Sequence, residues 1–322
     1  MITKRSFAVG LTAAMAMAAL PQCAFAQTGA IRIGMVVSAT GPAADDGRFA
    51  LIGAKLAVDE VNKAGVLGKQ VELVTEDDRT TEEGAVQAFQ KLAAQEDMVG
   101  FLGSIRSVHT HAMAPDILKR AKPVMFGGTN PTLTQMGNPW LFRCRPNDTY
   151  SGRVLADYGM NTLGKRKWAI VHSTDAFGTW GSKALADAVT KGGGAVALDQ
   201  SYANQTQDFT PVVQAVKKSG ADILGSYMTF ENDIGLFAKQ LRQLGVNITY
   251  VGSPSIVNVA AAKIAGPALY GTYGVADYAE ESSAASQAFG QAFRAVAKAA
   301  PDNQSAWTYD AVIILAKAIN AA

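Results

Sequence analysis

Short apolar segments alternate with amphipathic segments from Ile31 onward, and this alternation restricts the fold more than any other feature of the chain. Residues 31–37 have the composition of a buried strand. Residues 49–63 place Ala50, Ala54 and Val58 at the spacing of one helix face. Further strands are predicted at 71–75, 99–102, 124–126, 168–171, 223–227 and 249–251.

Strand–helix alternation over this length predicts parallel sheets with helices on both faces. Roughly ten such units are too many for one compact sheet of ordinary size. We therefore expect an α/β fold with two doubly wound, Rossmann-like lobes. No low-complexity linker separates the two halves, so the crossings between lobes are predicted to be single strands.

Several helix ends are marked by their residues. Thr80, with Glu83 three residues later, predicts a capping box at a helix start. Thr210 followed by Pro211 predicts another N-cap, and Gly220 is expected to end that helix.

The first 26 residues have the organisation of a secretory signal peptide. Lys4 and Arg5 precede an apolar segment at 7–20, and small residues at 24 and 26 form a cleavage site before Gln27. The apolar segment of about 14 residues is shorter than the roughly 20 that a membrane-spanning helix needs. A membrane anchor and a lipoprotein anchor at Cys23 are the alternatives. We expect export to the periplasm.

Charge and cysteine content exclude other classes. Two of the 29 basic residues, Lys4 and Arg5, lie in the leader, and the remainder balances the 27 acidic residues. Such a balance provides no basic surface for nucleic acid. Cys144 is the one cysteine after the predicted cleavage site, so the mature fold has no internal disulfide.

Signatures of enzymes are absent or weak. The sequence contains no Walker loop, no HExxH, no GxSxG and no GxGxxG after a strand. His172, Ser173 and Asp175 lie close in sequence, but triad members usually come from distant segments. We therefore predict no catalytic residues, no metal and no cofactor.

Small, polar and aromatic residues follow several predicted strands. In open α/β sheets, ligands bind in the crevice beyond the carboxyl ends of the strands. Main-chain N–H groups at such ends, aided by a helix N-terminus, can hold an anionic group. The positions are Ser104, Gly128, Thr129, Phe177 and Phe230.

At these residues the chain resembles the leucine/isoleucine/valine-binding family of periplasmic solute-binding proteins, the soluble components of ABC importers. The resemblance extends from about Ile31 to the end. Its strongest segments are GMVVSATGP at 34–42, GAKLAVDEVN at 53–62 and GGTNP at 127–131. Further segments in the second half are the helix around Tyr158 and residues 172–178 and 209–227.

The resemblance implies the type I periplasmic binding fold, in which two lobes close by a hinge around a ligand. The predicted lobes are residues 28–147 with 279–322, and 148–278. By position, the resemblance assigns the ligand carboxylate to Ser104, Gly128 and Thr129, the amino group to Asp148, and an aromatic wall to Phe177 and Phe230. Both phenylalanines lack the hydroxyl that tyrosine would provide.

The chain departs from the family pattern at three places. The family's second acidic residue for the amino group would lie near Pro254, where no acid is present. The family's aromatic residue of the first lobe would lie near Asp46, so this chain has an aspartate in that region. Asp46 is therefore a candidate ligand residue. The C-terminal stretch that makes a third crossing in the family is not found after residues 307–322, so we expect a looser hinge.

The main hypothesis is a periplasmic, monomeric binding protein that carries a small amino-acid-like ligand, branched-chain or related, to the membrane permease subunits of an ABC transporter. An amide or an aromatic carboxylic acid is the alternative ligand. A ligand sensor of the same fold and a secreted hydrolase are the competing functions. The signal peptide disfavours a cytoplasmic sensor, and no nucleophile–base pair supports the hydrolase.

Overall fold

The computed structural model describes residues 29–322, which form two parallel five-stranded sheets. The first sheet contains β1 (Ile31–Val37), β2 (Val71–Asp77), β3 (Met98–Leu102), β4 (Val124–Phe126) and β5 (Leu141–Arg143). The second contains β6 (Lys167–Ser173), β7 (Ala195–Tyr202), β8 (Ile223–Tyr227), β9 (Thr249–Gly252) and β10 (Tyr273–Gly274). Two parallel sheets confirm the predicted α/β class with two Rossmann-like lobes.

The two sheets share one connectivity. Their spatial orders are β2-β1-β3-β4-β5 and β7-β6-β8-β9-β10, so in each sheet the first strand in the chain lies between the second and the third. Parallel neighbours need crossover connections, which helices provide. The carboxyl ends of the strands in each sheet therefore lie at one edge.

Ten α-helices connect and cover the sheets within the described residues. They are α1 (Ala44–Ala64), α2 (Glu82–Ala93), α3 (Ser107–Arg120), α4 (Asp148–Asp157), α5 (Ala176–Lys191), α6 (Thr210–Ser219), α7 (Glu231–Gln243), α8 (Val259–Ala265), α9 (Ala284–Ala297) and α10 (Asn303–Ala321). Short 3₁₀ turns occur at Pro131–Thr134, Pro254–Val257, Gly266–Leu269 and Glu280–Ser282, and a π-helical turn, Tyr158–Thr162, extends α4.

We call the first sheet with α1–α3, α9 and α10 the first lobe. Helices α1 and α10 pack on one face of this sheet, where Val312 and Leu315 of α10 join Ile33 and Met35 of β1 in the core. Helices α2 and α3 cover the other face. Helix α9 packs on α1 through Phe293, whose ring lies 5.3 Å from that of Phe49.

We call the second sheet with α4–α8 the second lobe. Helices α4 and α5 cover one face around the fully buried Trp168. Helices α6 and α7 cover the other, where the rings of Phe209 and Phe237 meet edge to face at 5.5 Å. Each lobe thus has its own two-sided hydrophobic core, as expected for independent layered units.

Two segments of the chain pass between the lobes, one after β5 and one after β10. Arg145 lies on the first and Asp277 on the second, and the Arg145 Nε donates to Asp277 Oδ2 at 2.5 Å. Both side chains are nearly buried. The two crossings are therefore joined by a charged hydrogen bond. The lobe boundaries at 147/148 and 278/279 stay a prediction.

The helix starts differ in detail from the sequence predictions. Helix α2 begins one residue later than predicted, because the Thr81 hydroxyl, not that of Thr80, accepts the N–H of Gly84. Phe209 is the N-cap of α6, and Asp208 accepts the N–H of Thr210. Gly220 ends α6 in the left-handed conformation, as predicted.

The predicted signal peptide at 1–26, its cleavage site and Cys23 lie outside the described residues. Within residues 29–322, none of the helices has the length and apolar character needed to cross a bilayer. The same part of the chain contains no group of three His, Cys, Asp or Glu side chains placed to hold a metal ion.

Candidate functional site

A cleft of about 500 Å³, its open mouth included, lies between the lobes at the carboxyl ends of the strands. Loops after β3, β4, β5, β6, β8 and β9 all contribute to its walls. The first lobe provides Asp46, Arg106, Ser107, Thr129 and Gln304, and the second provides Asp175, Phe177, Thr229, Glu231 and Asn258. Both lobes thus face one shared space, where ligands bind in folds of this kind.

The start of α3 forms the first-lobe wall. Ser107 and Val108, the first two residues of the helix, line the cleft. The first-turn N–H groups of a helix have no partners within it and favour negative charge. The Ser107 hydroxyl accepts the N–H of Asn130 at 3.2 Å, and Thr129 beside it has a buried hydroxyl without a hydrogen-bond partner.

Ser104, which the resemblance assigns to the carboxylate, lies behind this wall. Its hydroxyl accepts the N–H of Arg106 at 3.0 Å and lies 3.2 Å from His109 Nδ1. His109 Nδ1 also lies 3.2 Å from Asp78 Oδ2. Because Ser104 and Asp78 share one ring nitrogen, the group is a structural network that fixes the β3–α3 loop and not a proton relay.

Asp148 is likewise buried and does not line the cleft. Its side chain is fully inaccessible, and neither carboxyl oxygen has a hydrogen-bond partner of good geometry. Burial raises its pKa to about 7, although the adjacent Thr129 hydroxyl and the Arg145 and Arg143 guanidinium groups favour the charged form. The structure therefore places Asp148 beneath the cleft wall that Thr129 and Arg145 form.

Gly128 supports the wall and does not line the cleft. A Cβ at this position would lie 3.2 Å from the Cα of Ser107 and 2.9 Å from Leu133 Cδ1. Its carbonyl accepts the Arg143 Nη1 at 2.6 Å. The missing side chain thus lets the β4 loop approach the start of α3 closely.

The two predicted aromatics lie on the second lobe. Phe177 lines the cleft, with its ring 5.6 Å from the ring of Tyr227. Phe230 is buried, and its ring lies 4.5 Å beneath the guanidinium carbon of Arg106, a first-lobe residue. Cation–π contacts of this kind are worth about 0.5–2 kcal/mol. The contact therefore joins the two lobes across the cleft.

Charged groups from both lobes meet at the centre of the cleft. Arg106 Nη2 donates to Asp46 Oδ2 at 3.1 Å within the first lobe. From the second lobe, Glu231 approaches the Asp46 carboxyl and accepts the Asn258 amide at 2.9 Å. Asp46 and Glu231 are each 5% exposed and Arg106 is 7% exposed.

The pKa values reflect this crowding. Burial first, and then the Glu231 carboxyl, raise the pKa of Asp46 well above its ordinary value, while Arg106 opposes the shift. Burial also raises the pKa of Asp302, at the start of α10, to about 6, with Glu231 contributing. Negative charge in this part of the cleft is therefore only partly compensated.

Residues 30–322 match the family described as periplasmic binding protein. The chain belongs to this family. Its members are substrate-binding proteins and not enzymes, which confirms the prediction that this protein is not an enzyme.

Curated relatives of this periplasmic binding protein carry names that specify amino acids. Leu/Ile/Val-binding protein homolog 3 of Brucella melitensis is 28% identical over 265 residues, which are 81% of this chain and 71% of the relative. The leucine-specific-binding protein of Salmonella typhimurium is 26% identical over 293 residues, 90% of this chain and 78% of the relative.

Solved structures share the fold. The branched-chain amino acid transporter substrate binding protein LivJ of Streptococcus pneumoniae, solved with isoleucine, has a TM-score of 0.83 and 25% identity, covering 91% of this chain and 85% of that one. A solute binding protein of R. palustris, solved with benzoate, has a TM-score of 0.83 at 23% identity, covering 91% and 81%.

The seven predicted site residues of this periplasmic binding protein thus lie in two layers. Asp46, Thr129 and Phe177 line the cleft, whereas Ser104, Gly128, Asp148 and Phe230 lie directly behind it. Sequence reasoning missed Arg106, Ser107, Glu231 and Asn258. Glu231 follows the predicted Phe230 directly, and this adjacency was the available signal.

Proposed function

We propose that this protein is the substrate-binding component of an ABC importer and that its lobes close around a small amino-acid-like ligand. The observation that carries the proposal is the cleft of about 500 Å³, in which first-lobe donors face second-lobe acidic and aromatic groups. The amino-acid-binding relatives and the bound isoleucine of the LivJ structure support the ligand class.

The ligand carboxylate would bind at the start of α3. Ser107 provides a hydroxyl, the first-turn N–H groups of Ser107 and Val108 provide donors, and Thr129 provides another hydroxyl. Hydrogen bonds to a charged group are worth about 1.5–3 kcal/mol each. Three such bonds contribute about 4.5–9 kcal/mol before ordering costs, so micromolar affinity, about −8.2 kcal/mol, also requires the apolar contact of the ligand side chain. In this proposal Ser107 replaces Ser104, whose hydroxyl is engaged with Arg106 and His109.

The ligand side chain would contact Phe177. Phe177 is the aromatic ring that the cleft exposes, and it lacks a hydroxyl. An apolar wall of this kind favours an aliphatic or aromatic side chain over a polar one. Leucine-like amino acids are therefore the leading candidates.

A second candidate ligand is an aromatic carboxylic acid or an amide. The observation that favours it is the Arg106 guanidinium, which lines the cleft with a buried Nε that has no partner. An anionic or carbonyl group could accept from this nitrogen. An amide sensor or transport component would use the same contact.

Export to the periplasm and delivery to membrane permease subunits complete the proposal. The family name and the predicted signal peptide at 1–26 support this location, and we expect a monomer with Gln27 as its first residue. N-terminal sequencing of exported protein tests the location. Material that retains residues 7–20 would contradict it.

Calorimetric titration with leucine, phenylalanine, an aliphatic amide and benzoate tests the ligand assignment. For Ser107→Ala we expect at least tenfold weaker binding of every carboxylate ligand, because one donor to a charged group is lost. The exposed Ser282→Ala serves as the control, with unchanged affinity. Equal affinities of wild type and Ser107→Ala would overturn the carboxylate assignment, and binding of benzoate or the amide alone would favour the second candidate.

A further inference from the structure

The turn that follows β9 belongs to the second lobe but lies against the first. We call residues 254–259, which contain a 3₁₀ turn and the start of α8, the latch turn. Pro254, Ser255 and Asn258 of this turn line the cleft, and Pro254 and Asn258 are buried. Contacts that fix the latch turn therefore also fix part of the binding surface.

The start of α10, in the first lobe, contacts the latch turn through a buried amide. The Asn303 Nδ2 donates to the carbonyl oxygen of Pro254 at 3.0 Å. The Oδ1 of the same amide accepts the N–H of Asp277, on the second crossing segment, at 3.2 Å. One side chain thus joins the first lobe to the latch turn and to the crossing.

Asp302, the N-cap of α10, lies beside the other end of the latch turn. Its carboxyl accepts the N–H groups of Gln304 and Ser305 within its own helix. The N–H of Val259, from the second lobe, also faces this carboxyl and favours its charged form, as the two N–H groups of α10 do. The first turn of α10 and the first residue of α8 therefore share one buried carboxyl group.

The Val259 side chain packs on the first lobe. It contacts an apolar cluster formed by Phe49 of α1 with Phe289 and Phe293 of α9. In this cluster the ring of Phe293 lies 5.3 Å from that of Phe49 and 5.9 Å from that of Phe289. Because burial of apolar surface is favourable whatever the cleft contains, this contact does not depend on a ligand.

The latch turn and the centre of the cleft influence closure in opposite directions. At the centre, the Glu231 carboxyl raises the pKa of Asp46, so the approach of these two groups is unfavourable. At the latch turn, donors meet acceptors and apolar groups meet each other. Asp302, Asn303 and Val259 do not line the cleft, so these favourable contacts lie outside the ligand site.

We propose that the latch turn and the start of α10 form a clasp that holds the two lobes closed without a ligand. Asn303 and Asp302 position the turn, and Val259 anchors it by apolar contact. Opening separates the Pro254 carbonyl from its donor and exposes Val259 to water. The closed form is thus populated before binding, which tightens the apparent affinity of any ligand that requires it. The inference goes beyond the proposed function and does not depend on the identity of the ligand.

Single-molecule fluorescence energy transfer on ligand-free protein measures the ratio of open to closed molecules. Dyes are attached at Lys119→Cys on α3 and Lys239→Cys on α7, two exposed positions that belong to different lobes. Cys144 stays unlabelled, because burial raises the pKa of its thiol to about 12. Unfolding in guanidinium followed by refolding removes any ligand carried through purification. Wild type should be mostly closed.

Asn303→Asp keeps the size of the side chain and the acceptor for the Asp277 N–H, but it removes the donor to Pro254. The ratio of open to closed molecules should rise about tenfold, because a buried carbonyl loses its donor and faces a carboxyl group instead. Asn320→Asp is the matched control on the same helix, since Asn320 Oδ1 accepts the Leu67 N–H within the first lobe. Its ratio should equal that of wild type.

Val259→Ala is the second variant and tests the apolar contact. It should raise the same ratio about fivefold, because part of a half-buried side chain is removed from the cluster. Val257→Ala is its control, because Val257 lies in the same turn but is exposed and is not part of the cluster. Thermal melts followed by circular dichroism check that all four variants are folded.

The outcomes decide between a clasp and a fixed hinge contact. Opening by Asn303→Asp and Val259→Ala, with both controls unchanged, supports the clasp. Equal ratios in wild type and these two variants overturn it and assign the contacts to the fixed base of the hinge. A wild type that is mostly open without a ligand also overturns it. Because the molecules are ligand-free, these results are independent of the titrations that test the proposed ligand.

Discussion

The two lobes share a strand order but present different chemistry to the cleft. The first lobe offers helix N–H groups at the start of α3 and the charged pair of Asp46 and Arg106. The second offers the ring of Phe177, the acids Asp175 and Glu231, and the polar side chains of Thr229 and Asn258. The common scaffold therefore determines where the cleft lies, and the residues after each strand determine what it recognises.

The lobes are most alike where the first strand of each meets the following helix. In the first lobe, a Cβ on Gly47 would lie 1.9 Å from the carbonyl oxygen of Ser38. In the second, a Cβ on Gly178 would lie 2.2 Å from the carbonyl oxygen of Ser173. In both lobes a glycine in the first helical turn thus lets the helix approach the strand end, which brings the helix start to the cleft.

The largest expected effect is a loss of stability, and it tests whether the two strand–helix junctions are equivalent. Gly47→Ala and Gly178→Ala should each destabilise the protein by about 4 kcal/mol or more, because the atom that a Cβ would meet is main chain and cannot rotate away. Urea denaturation followed by circular dichroism measures the loss. Gly29→Ala, where nothing lies within 4 Å, is the control with no change. A normal midpoint for either cleft variant would show that the two junctions are not equivalent.

A smaller effect concerns Asp148, at the start of the second lobe. Its folded-state pKa of about 7 lies above the ordinary 3.8, so ionisation opposes folding, and stability should fall as the pH rises from about 4 to 7. Asp148→Asn should remove this fall and gain about 2–4 kcal/mol at pH 8.

Thermal melts of wild type and Asp148→Asn across this pH range provide the measurement. A residual slope should remain, because burial also raises the pKa of Asp302 to about 6. Parallel curves for the two proteins would indicate that Asp148 gains a partner that the structure does not show.

The smallest expected effect separates the aromatic wall from the charged groups. Phe177→Ala should weaken binding of leucine about tenfold, since one half-buried ring is worth about 1–2 kcal/mol. Because this wall contacts the side chain and not the amine, the preference for leucine over 4-methylpentanoate, which is leucine without its amine, should stay as in wild type. A change in that preference, measured by calorimetry, would show that the two lobes do not divide recognition as described.

The sequence predicted the scaffold better than the cleft. Strands buried on both faces, such as β1 and β8, were identified from their apolar runs. The edge strand β7 was missed because its residues alternate between exposed and half-buried and include Asp199 and Gln200. The three-residue β5 was missed because only Leu141 of its residues is buried, whereas all three residues of β4 are buried and apolar.

At the site, the sequence could not show which side chains face the cleft, because this depends on the residue at which each helix begins. Ser104 and Ser107 lie three residues apart in one loop, and only the start of α3 at Ser107 determines which hydroxyl faces the cleft. In the sequence, Glu231 resembles any acidic residue in the first turn of a helix. Its approach to Asp46 could not be predicted, because the two residues are distant in sequence and belong to different lobes.

The ion pair between Arg145 and Asp277 has a mechanical consequence. Because it links the two crossing segments, neither segment can shift relative to the other without disturbing this buried charged hydrogen bond. Arg145 also donates to the carbonyl of Gly127 at 3.4 Å and lines the cleft, so the link between the two crossings reaches the binding surface itself. A ligand that contacts Arg145 would therefore touch the same side chain that joins the two crossings.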